Sequence, residues 1–255
     1  MTTSTTVAAS GAAEHAAKGP IDPISQFEIH RVIDLGPFSL TNSGLWAIIA
    51  ICLVSLVFLS APRKLVPTRL QSFAEGIYEF IDNMTHEVLG HHSREFFPFV
   101  LTLFTFILAC NVLGLIPYAF TVTSHIIVTL ALALTVFIGA TIIGFARNGL
   151  RYLKIFVPSG VPPLILVILI PIEIISYFIR PFSLSIRLFA NMMAGHMMLK
   201  VAAGFVIMLG LLAGWFPLIA TVALYALELL VAVLQAYVFA LLTCLYLNDA
   251  LHVDH

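Results

Sequence analysis

Residues 161–212 read VPPLILVILIPIEIISYFIRPFSLSIRLFANMMAGHMMLKVAAGFVIMLGLL. This run is apolar over far more than the roughly 20 residues that a helix needs to cross a hydrocarbon core about 30 Å thick. As one continuous helix it would be roughly 75 Å long, at about 1.5 Å per residue. We therefore predict a membrane helix that is strongly tilted, bent at Pro171 or Pro181, or both.

The rest of the chain repeats this apolar character in shorter blocks. Of its 255 residues, 60% are hydrophobic and 10% are charged, whereas soluble domains are about 25% charged. Backbone in lipid must satisfy its own hydrogen bonds, and the blocks lack the alternating pattern of a β-barrel, so they should be helices. The sequence predicts an all-α polytopic membrane protein with about five crossing helices, the last two long and strongly tilted, at 45–61, 96–116, 124–145, 161–212 and 218–247.

Two segments differ from these blocks. Residues 1–40 form a polar tail ahead of a single membrane domain at 41–255. In residues 69–89, apolar side chains such as Phe73 and Ile77 recur at helical spacing while acidic side chains face elsewhere. This pattern predicts an amphipathic helix that lies at the membrane surface.

Basic residues outside the apolar blocks are concentrated in two loops. Because positively charged loops stay on the cytoplasmic side, five crossings place the N-terminus outside and the C-terminus in the cytoplasm. The net charge of −1 gives no indication of nucleic-acid binding. The basic residues of the two loops are Arg63, Lys64, Arg69 and Arg94 in the first, and Arg147, Arg151 and Lys154 in the second.

The long block contains ionisable residues, which are unfavourable at membrane depth. Charges there cost several kcal/mol and usually mark ion pathways or paired sites. Arg180 and Lys200 can extend toward an interface, but Arg187 is farther from both ends of the block. Glu173 and His196 lie in the same block.

Helical geometry arranges the polar residues in two stripes. At about 100° per residue, His196 projects away from Arg187 on an ideal helix. Two polar stripes that face each other would form a hydrated path through the lipid. Alternatively, the polar side chains would only hold two helices together. The residues within roughly 40° of Arg187 are Glu173, Ser176, Arg180, Ser183 and Asn191, and those spaced by sevens in the last block are Thr221, Glu228 and Gln235.

Acid–base chemistry gives these residues different roles. Glutamate and histidine can carry protons because burial and neighbours can move their pKa values toward neutrality, whereas arginine stays protonated. Arg187 would therefore repel a proton-carrying cation and attract a deprotonated carboxylate. On its own helix Glu173 lies about 21 Å away. The counter-charge of Arg187 is therefore either Glu228 or a carboxylate of another subunit.

Three motifs carry a resemblance to a known family. They are SLSIRLFANMMAGH at 183–196, LELLVAVLQAYVF at 227–239 and NVLGLIPY at 111–118. Together they resemble the subunit a family of the F-type ATP synthase membrane sector, over nearly the whole chain after residue 40. The resemblance implies a static subunit beside a rotating ring of c subunits, in which Arg187 is the essential arginine that faces the carboxylate of the ring.

The resemblance also implies two half-channels for protons. The residues that it assigns to the inlet from the outer side are Asn191, His196, Glu228 and Gln235, and those that it assigns to the cytoplasmic outlet are Glu173 and Ser176. Histidine at 196 followed by an acid at 228 is the order of mitochondrial-type members. Some bacterial members carry an aspartate where this chain has Gly114. Asn111, His125 and Arg180 are further candidates for the path.

The implied assembly is the F1Fo complex in a membrane. The implied partners are the c-subunit ring, subunit b or a b/b′ peripheral stalk, the remainder of F1Fo and the lipid bilayer, with no nucleic acid. The expected membrane is the bacterial inner membrane, with the mitochondrial inner membrane as the alternative. The sequence contains no GxxxxGKT loop, so we expect a non-catalytic subunit without a cofactor.

Two other functions are compatible with parts of the pattern. A self-contained proton-coupled permease or ion channel would conduct without partners. An intramembrane hydrolase would need a Ser–His or Asp–Asp pair, and Ser183 and Ser185 have no evident base. A zinc-protease motif is not formed, because HExxH requires a second histidine where Gly90 stands.

Overall fold

A computed structural model describes residues 31–33, 40–60, 68–116, 119–157 and 163–251. Most of the predicted polar tail, Arg63 and Lys64 lie outside these residues. Two short antiparallel strands, β1 (Arg31–Ile33) and β2 (Leu40–Thr41), precede the helices. The helices are α1 (Asn42–Ser60), α2 (Arg69–Leu89), α3 (Ser93–Gly114), α4 (Ile126–Asn148), α5 (Pro163–Ala213) and α6 (Trp215–Leu251).

Five helical segments of the described chain are long and apolar enough to cross a membrane. The prediction of an all-α polytopic membrane protein is therefore confirmed. The segments are Asn42–Ser60, Arg69–Gly114, Ile126–Phe156, Ile165–Gly210 and Trp215–Leu251.

Local sequence signals set the ends of several helices. At the start of α2, Thr68 accepts a hydrogen bond from the backbone N–H of Gln71, which satisfies one of the free donors of the first turn. Gly90 ends α2 with φ 54° and Gly149 ends α4 with φ 55°. Glycine adopts this left-handed region without the steric cost of a Cβ atom.

The helix α5 is 51 residues long, and its helical backbone angles are interrupted at Gly210, where φ is 64°. Pro171 and Pro181 both lie inside the helix. The departure from helical geometry thus falls at a glycine near the end of α5 and not at either proline. Gly214 donates its backbone N–H to the Gly210 carbonyl at 2.9 Å and leads directly into α6.

The helix α2 folds back onto α3 through a 3-10 turn at Gly90–His92. The Tyr78 ring lies 4.6 Å from the Phe97 ring, and the Phe80 ring lies 5.5 Å from the Tyr237 ring of α6. Glu75, Glu79, Asp82 and Glu87 stay exposed while Ala74, Ile81, Met84 and Leu89 are buried. The helix is therefore amphipathic, as the sequence predicts, and the protein itself covers much of its apolar side.

The core of the bundle is centred on α6, which contacts α2, α3, α4 and α5. Small side chains allow this close approach of several helices. A buried row runs along α6 at intervals of four residues, so it occupies one face of the helix. Its members are Ala232, Ala236, Ala240 and Cys244.

Contacts at the ends of the helices define two ends of the bundle. At the first, here called the basic end, Arg147 pairs with Glu95 and Asn148 donates to the Ala250 carbonyl at 2.8 Å. The start of α3, which carries Arg94, and the end of α4, which carries Arg147, therefore lie at the same end as the C-terminus of α6. The connection between α3 and α4 lies at the opposite end, where the Tyr225 hydroxyl donates to the Leu115 carbonyl at 3.4 Å.

Candidate functional site

The helices α5 and α6 pack side by side in antiparallel directions. The contact partners descend along α6 as they ascend along α5: Arg180 bonds Asp249, Asn191 bonds Gln235, and His196 contacts Glu228. Among these contacts, only that between Asn191 and Gln235 joins one predicted polar stripe to the other, because Asp249 and His196 lie outside the stripes. The contacts form two groups, one toward each end of the bundle.

The group at the end of the bundle opposite the basic end contains a buried carboxyl and a buried imidazole. Glu228 is 3% exposed and His196 is 7% exposed, and Oε1 of Glu228 lies 3.3 Å from Nδ1 of His196. The other ring nitrogen, Nε2, lies 2.9 Å from the hydroxyl of Thr121. We call Thr121, His196 and Glu228 the inlet cluster, after the half-channel that the sequence resemblance predicts here.

Gly195 makes room for the carboxyl of this cluster. A Cβ atom at position 195 would lie 2.7 Å from Oε1 of Glu228, which is closer than van der Waals contact permits. Both oxygens of Glu228 are buried without a hydrogen-bond partner in the described residues. A buried polar atom without a partner is unfavourable by about 1–3 kcal/mol, so this carboxyl is suited to take up a proton or a water.

Side-chain amides connect the neighbourhood of this cluster to the outer face of α5. Asn191 is exposed and donates from Nδ2 to Oε1 of the buried Gln235 at 2.9 Å. Asn111 is fully buried, donates to the Ala232 carbonyl at 3.0 Å, and accepts from Thr123 at 2.9 Å. The pair of Asn191 and Gln235 thus links the interior to the face that carries Arg187, one helical turn away.

Arg187 differs from every other group of the site. It is exposed on α5 and makes no hydrogen bond or ion pair within the described part of the chain. Glu228, the internal candidate for its counter-charge, contacts His196 instead. His196 is buried while Arg187 is exposed, so the two side chains occupy different sides of α5. Arg187 is therefore a cation on the outer face of the helix, and no acid of the described residues pairs with it.

The group toward the basic end is built around Arg180. Its guanidinium donates to Asp249 at 2.8 Å and lies 3.9 Å from the Glu173 carboxylate. The hydroxyls of Tyr152 and Tyr177 lie 2.9 Å apart beside it. A small cavity of about 10 Å³ between these side chains is close to the volume that one water needs. We call this group the outlet cluster, after the cytoplasmic half-channel that the sequence resemblance predicts near Glu173.

An apolar layer separates the two clusters inside the subunit. Between them, α5 presents buried Leu184, Leu188 and Met192 toward Phe239 and Ala240 of α6. The hydroxyls of Ser185 and Thr129 lie in the same region and satisfy each other at 3.1 Å. The described side chains therefore provide no polar connection between the clusters through the interior.

Two other predicted site residues lie apart from the clusters. Ser176 is exposed on α5. The imidazole of His125 stacks on Phe120 with ring centroids 4.9 Å apart, and its Nε2 is buried without a hydrogen-bond partner in the described residues. Burial lowers the pKa of His125 below the ordinary value of 6.5, so this imidazole favours its neutral form.

Sequence reasoning missed several residues that complete the clusters. Thr121 comes from the connection between α3 and α4, and nothing in its spacing relates it to His196. Asp249 lies after the last predicted span, although an acid one turn from the end of an apolar block is a visible signal. Gly195 directly precedes His196 and is explained only by the neighbouring helix. Tyr152 and Tyr177 read as ordinary aromatic residues of a membrane interface.

The described residues contain no group of three or more histidine, cysteine, aspartate or glutamate side chains arranged to hold a metal ion. The contacts of the site are instead hydrogen bonds and ion pairs between side chains that can exchange protons. Such an arrangement is suited to proton transfer and to electrostatic control of a charge that arrives from outside the subunit.

Comparison with known proteins gives a consistent result. A family described as ATP synthase A chain matches residues 44–248. The chain is 53% identical to ATP synthase subunit a of Pelagibacter ubique over 241 residues, which is 92% of this chain and 99% of that protein. It is 51% identical to ATP synthase subunit a of Parvibaculum lavamentivorans over 259 residues, covering 97% of this chain and all of the relative. The subunit a of Rhodopseudomonas palustris is 53% identical over 245 residues, with 92% and 99% covered.

Proposed function

The chain belongs to the ATP synthase A chain family, and from this premise we propose that it is the proton-translocating stator subunit of an F-type ATP synthase. In this role it offers two offset half-channels to a rotating ring of c subunits. Proton flow through them is coupled to ATP synthesis at catalytic sites on other subunits of F1Fo.

The observation that carries the proposal is the guanidinium of Arg187, which is exposed and has no hydrogen-bond or ion-pair partner among the described residues. A permanent cation at membrane depth is unfavourable by several kcal/mol unless it is paired or solvated. Because no acid of the described chain neutralises it, a carboxylate on an adjacent moving subunit is the matching partner. The guanidinium attracts that carboxylate once it has lost its proton and blocks the direct passage of a cation.

The inlet cluster supports the first half-channel. Glu228 and His196 are buried groups of opposite acid–base character in contact, and Gln235 and Asn191 continue the polar path to the face of Arg187. A proton that follows this path neutralises the ring carboxylate. A neutral carboxyl can rotate into lipid without the cost of burying a charge.

The outlet cluster supports the second half-channel. Glu173 and Ser176 lie on the same stripe of α5 as Arg187. Arg180 lies 3.9 Å from the Glu173 carboxylate and bonds Asp249, beside the paired hydroxyls of Tyr152 and Tyr177. Each proton that returns through the complex across about 100 mV releases roughly 2.3 kcal/mol. Several protons are therefore needed for each ATP.

The placement of charges supports the direction of flow. Arg94, Arg147, Arg151 and Lys154 are exposed at or near the basic end, where the C-terminus of α6 also lies. The positive-inside rule places this end in the cytoplasm. The outlet cluster then faces the cytoplasm and the inlet cluster the outer side, in the bacterial inner membrane or its mitochondrial equivalent.

The partners follow from the same assignment. The ring meets the face of α5 that carries Arg187, and the exposed apolar side chains elsewhere contact lipid or the peripheral stalk, made of subunit b or b/b′. The exposed side chains of α1 include Leu56 and Leu59, which are suited to either environment.

The decisive experiment replaces Arg187 by Ala in the complete F1Fo complex in vesicles. We expect ATP-driven proton pumping to fall to background, measured with a pH-sensitive dye. Arg151→Ala is the matched control, because Arg151 is exposed and lies outside both clusters. Normal pumping by Arg187→Ala would reject the proposal.

A second measurement separates the stator from a self-contained channel or permease. The purified subunit alone in vesicles should not raise passive proton conductance above that of empty vesicles, because it lacks the ring that carries the proton past Arg187. Rapid conductance by the isolated subunit would favour the channel.

A further inference from the structure

We propose that Thr121 is a positioning residue of the inlet, which holds the imidazole of His196 in the orientation that directs Nδ1 toward Glu228. The inference rests on the proposed function, because it assigns a role within the same proton path. Thr121 is 2% exposed and lies in the connection between α3 and α4. It therefore reaches His196 from outside the α5–α6 pair that otherwise forms the site.

The distances favour His196 as the principal partner of this hydroxyl. Oγ1 of Thr121 lies 2.9 Å from Nε2 of His196 and 3.4 Å from the carbonyl oxygen of Gly114. The first distance is that of a normal hydrogen bond, and the second is long. The hydroxyl of Thr121 thus makes a short contact with the imidazole and a longer one with the Gly114 carbonyl.

The backbone at position 114 is shaped to admit this threonine. A Cβ atom there would lie 2.6 Å from Cγ2 and 2.9 Å from Oγ1 of Thr121, so any larger residue would displace the hydroxyl. Gly195 leaves the corresponding space for Glu228 on the other side of the imidazole. Two glycines on two different helices therefore accommodate the two partners of His196.

The chemistry of a hydroxyl suits both charge states of the imidazole. A hydroxyl can accept from an N–H group or donate to a bare nitrogen. When a proton leaves the Glu228 carboxyl for Nδ1, the products are a carboxylate and an imidazolium, and the proton count is unchanged. In that state Nδ1–H faces Glu228 and Nε2–H faces Oγ1 of Thr121, whose own proton points to the Gly114 carbonyl.

The side chain that orients His196 is neutral, whereas the other groups named around the imidazole are charged or titratable. Glu228 of α6 contacts Nδ1, and Lys200 of α5 acts on the imidazole through its charge. Thr121 adds no charge of its own. It fixes the ring between these groups and so keeps the path open to Glu228 in either charge state.

The test compares three variants in the complete F1Fo complex. Thr121→Val removes the hydroxyl at nearly constant volume, and Thr121→Ser retains it. Thr243→Val is the matched control, because Thr243 is fully buried and, among the described residues, its hydroxyl bonds only to the Phe239 carbonyl of its own helix. Passive proton conduction through vesicles stripped of F1 is measured as a function of the pH on the outer side.

We expect Thr121→Val to conduct about tenfold more slowly, the loss that corresponds to one hydrogen bond to a charged group, and to have a displaced pH of half-maximal conduction. Thr121→Ser and Thr243→Val should keep the wild-type rate and pH profile. A packing role alone would slow or destabilise the complex without moving the pH profile.

Two results would overturn the inference: a Val variant with wild-type rate and profile, or a Ser variant as impaired as the Val variant. If Thr121→Val does not assemble, Thr121→Cys is judged by the same criteria, because a thiol is a much weaker hydrogen-bonding group. Failure of the proposed function would be seen separately, as normal pumping by Arg187→Ala.

Discussion

Two arginines on one stripe of α5 have different surroundings. Arg180 bonds Asp249 and lies near Glu173. Arg187, seven residues later, forms no ion pair with an acid of the described residues. The stripe itself could be predicted from helical spacing. The difference between the two arginines could not, because Asp249 belongs to another helix and approaches only after α5 and α6 have packed.

The paired arginine should therefore be far less important for function than the unpaired one. We expect Arg180→Ala to reduce ATP-driven pumping by no more than about fivefold, because a partly exposed ion pair contributes roughly 0–1 kcal/mol and water can solvate the remaining Asp249. Arg187→Ala, measured in the same vesicles, should abolish pumping. Equal and complete loss in both variants would mean that the two arginines share one task.

The space opposite Glu228 gives a second prediction at the scale of single residues. Gly195→Ala places a Cβ atom 2.7 Å from Oε1 of Glu228, which must move the carboxyl away from His196. We expect proton conduction through F1-stripped vesicles to fall by about tenfold or more, as when a proton-transferring group is misplaced.

Gly139→Ala is the matched control for this prediction. Gly139 lies in α4, and a Cβ atom there would meet nothing within 4 Å. This variant should conduct normally and be slightly more stable, because alanine is favoured over glycine within a helix by roughly 1 kcal/mol. Equal conduction by the two variants would show that Glu228 tolerates displacement.

At the scale of elements, helices with local start and stop signals were the most predictable. The range 69–89 is the same in sequence and structure, because Thr68 caps its start and Gly90 ends it. The path of α5 was less predictable. A bend at its prolines stays a prediction, whereas the interruption of the helical backbone angles at Gly210, just before the connection to α6, was not predicted.

This interruption is open to a direct test. Gly210 has φ 64° and ψ −163°, a conformation that is essentially restricted to glycine and costs other residues roughly 1–3 kcal/mol. Gly210→Ala should therefore lower the thermal midpoint of the purified complex, whereas a straight α5 would be stabilised by the same change. Native electrophoresis provides a second measurement, because it shows whether the ring assembles with the subunit. An unchanged midpoint and normal assembly would argue that the turn does not depend on this residue.

At the scale of the whole molecule, five membrane-crossing segments and their apolar character followed from composition and block length. The sequence did not predict which helices pack against one another. Every block is apolar on most sides, and the periodicity within one helix does not identify the helix that it contacts. The inlet cluster illustrates this limit: Thr121, His196 and Glu228 come from three separate parts of the chain.

The proposed ring-facing surface predicts a pattern of cross-linking in the complete complex. Ile186, next to Arg187, is 51% exposed, whereas Leu184, two residues earlier, is 1% exposed. Ile186→Cys should form a disulfide with a cysteine placed on the outer helix of a c subunit, and Leu184→Cys should not. The exposed native Cys52 is replaced by serine in both. Cross-linking of neither variant, or of Leu184→Cys alone, would place the ring elsewhere.

The apolar layer between the clusters has an electrical consequence. A membrane voltage falls mainly across the least polarisable part of its path, and hydrated or polar regions at either end sustain little of it. Under the proposed function, the field in an energised membrane is thus concentrated on this layer, around Leu188 and Phe239 and beside Arg187. Under the same proposal, this layer sustains most of the membrane voltage, and the electrical work of proton transport is performed on the charge that a neighbouring ring would carry past it.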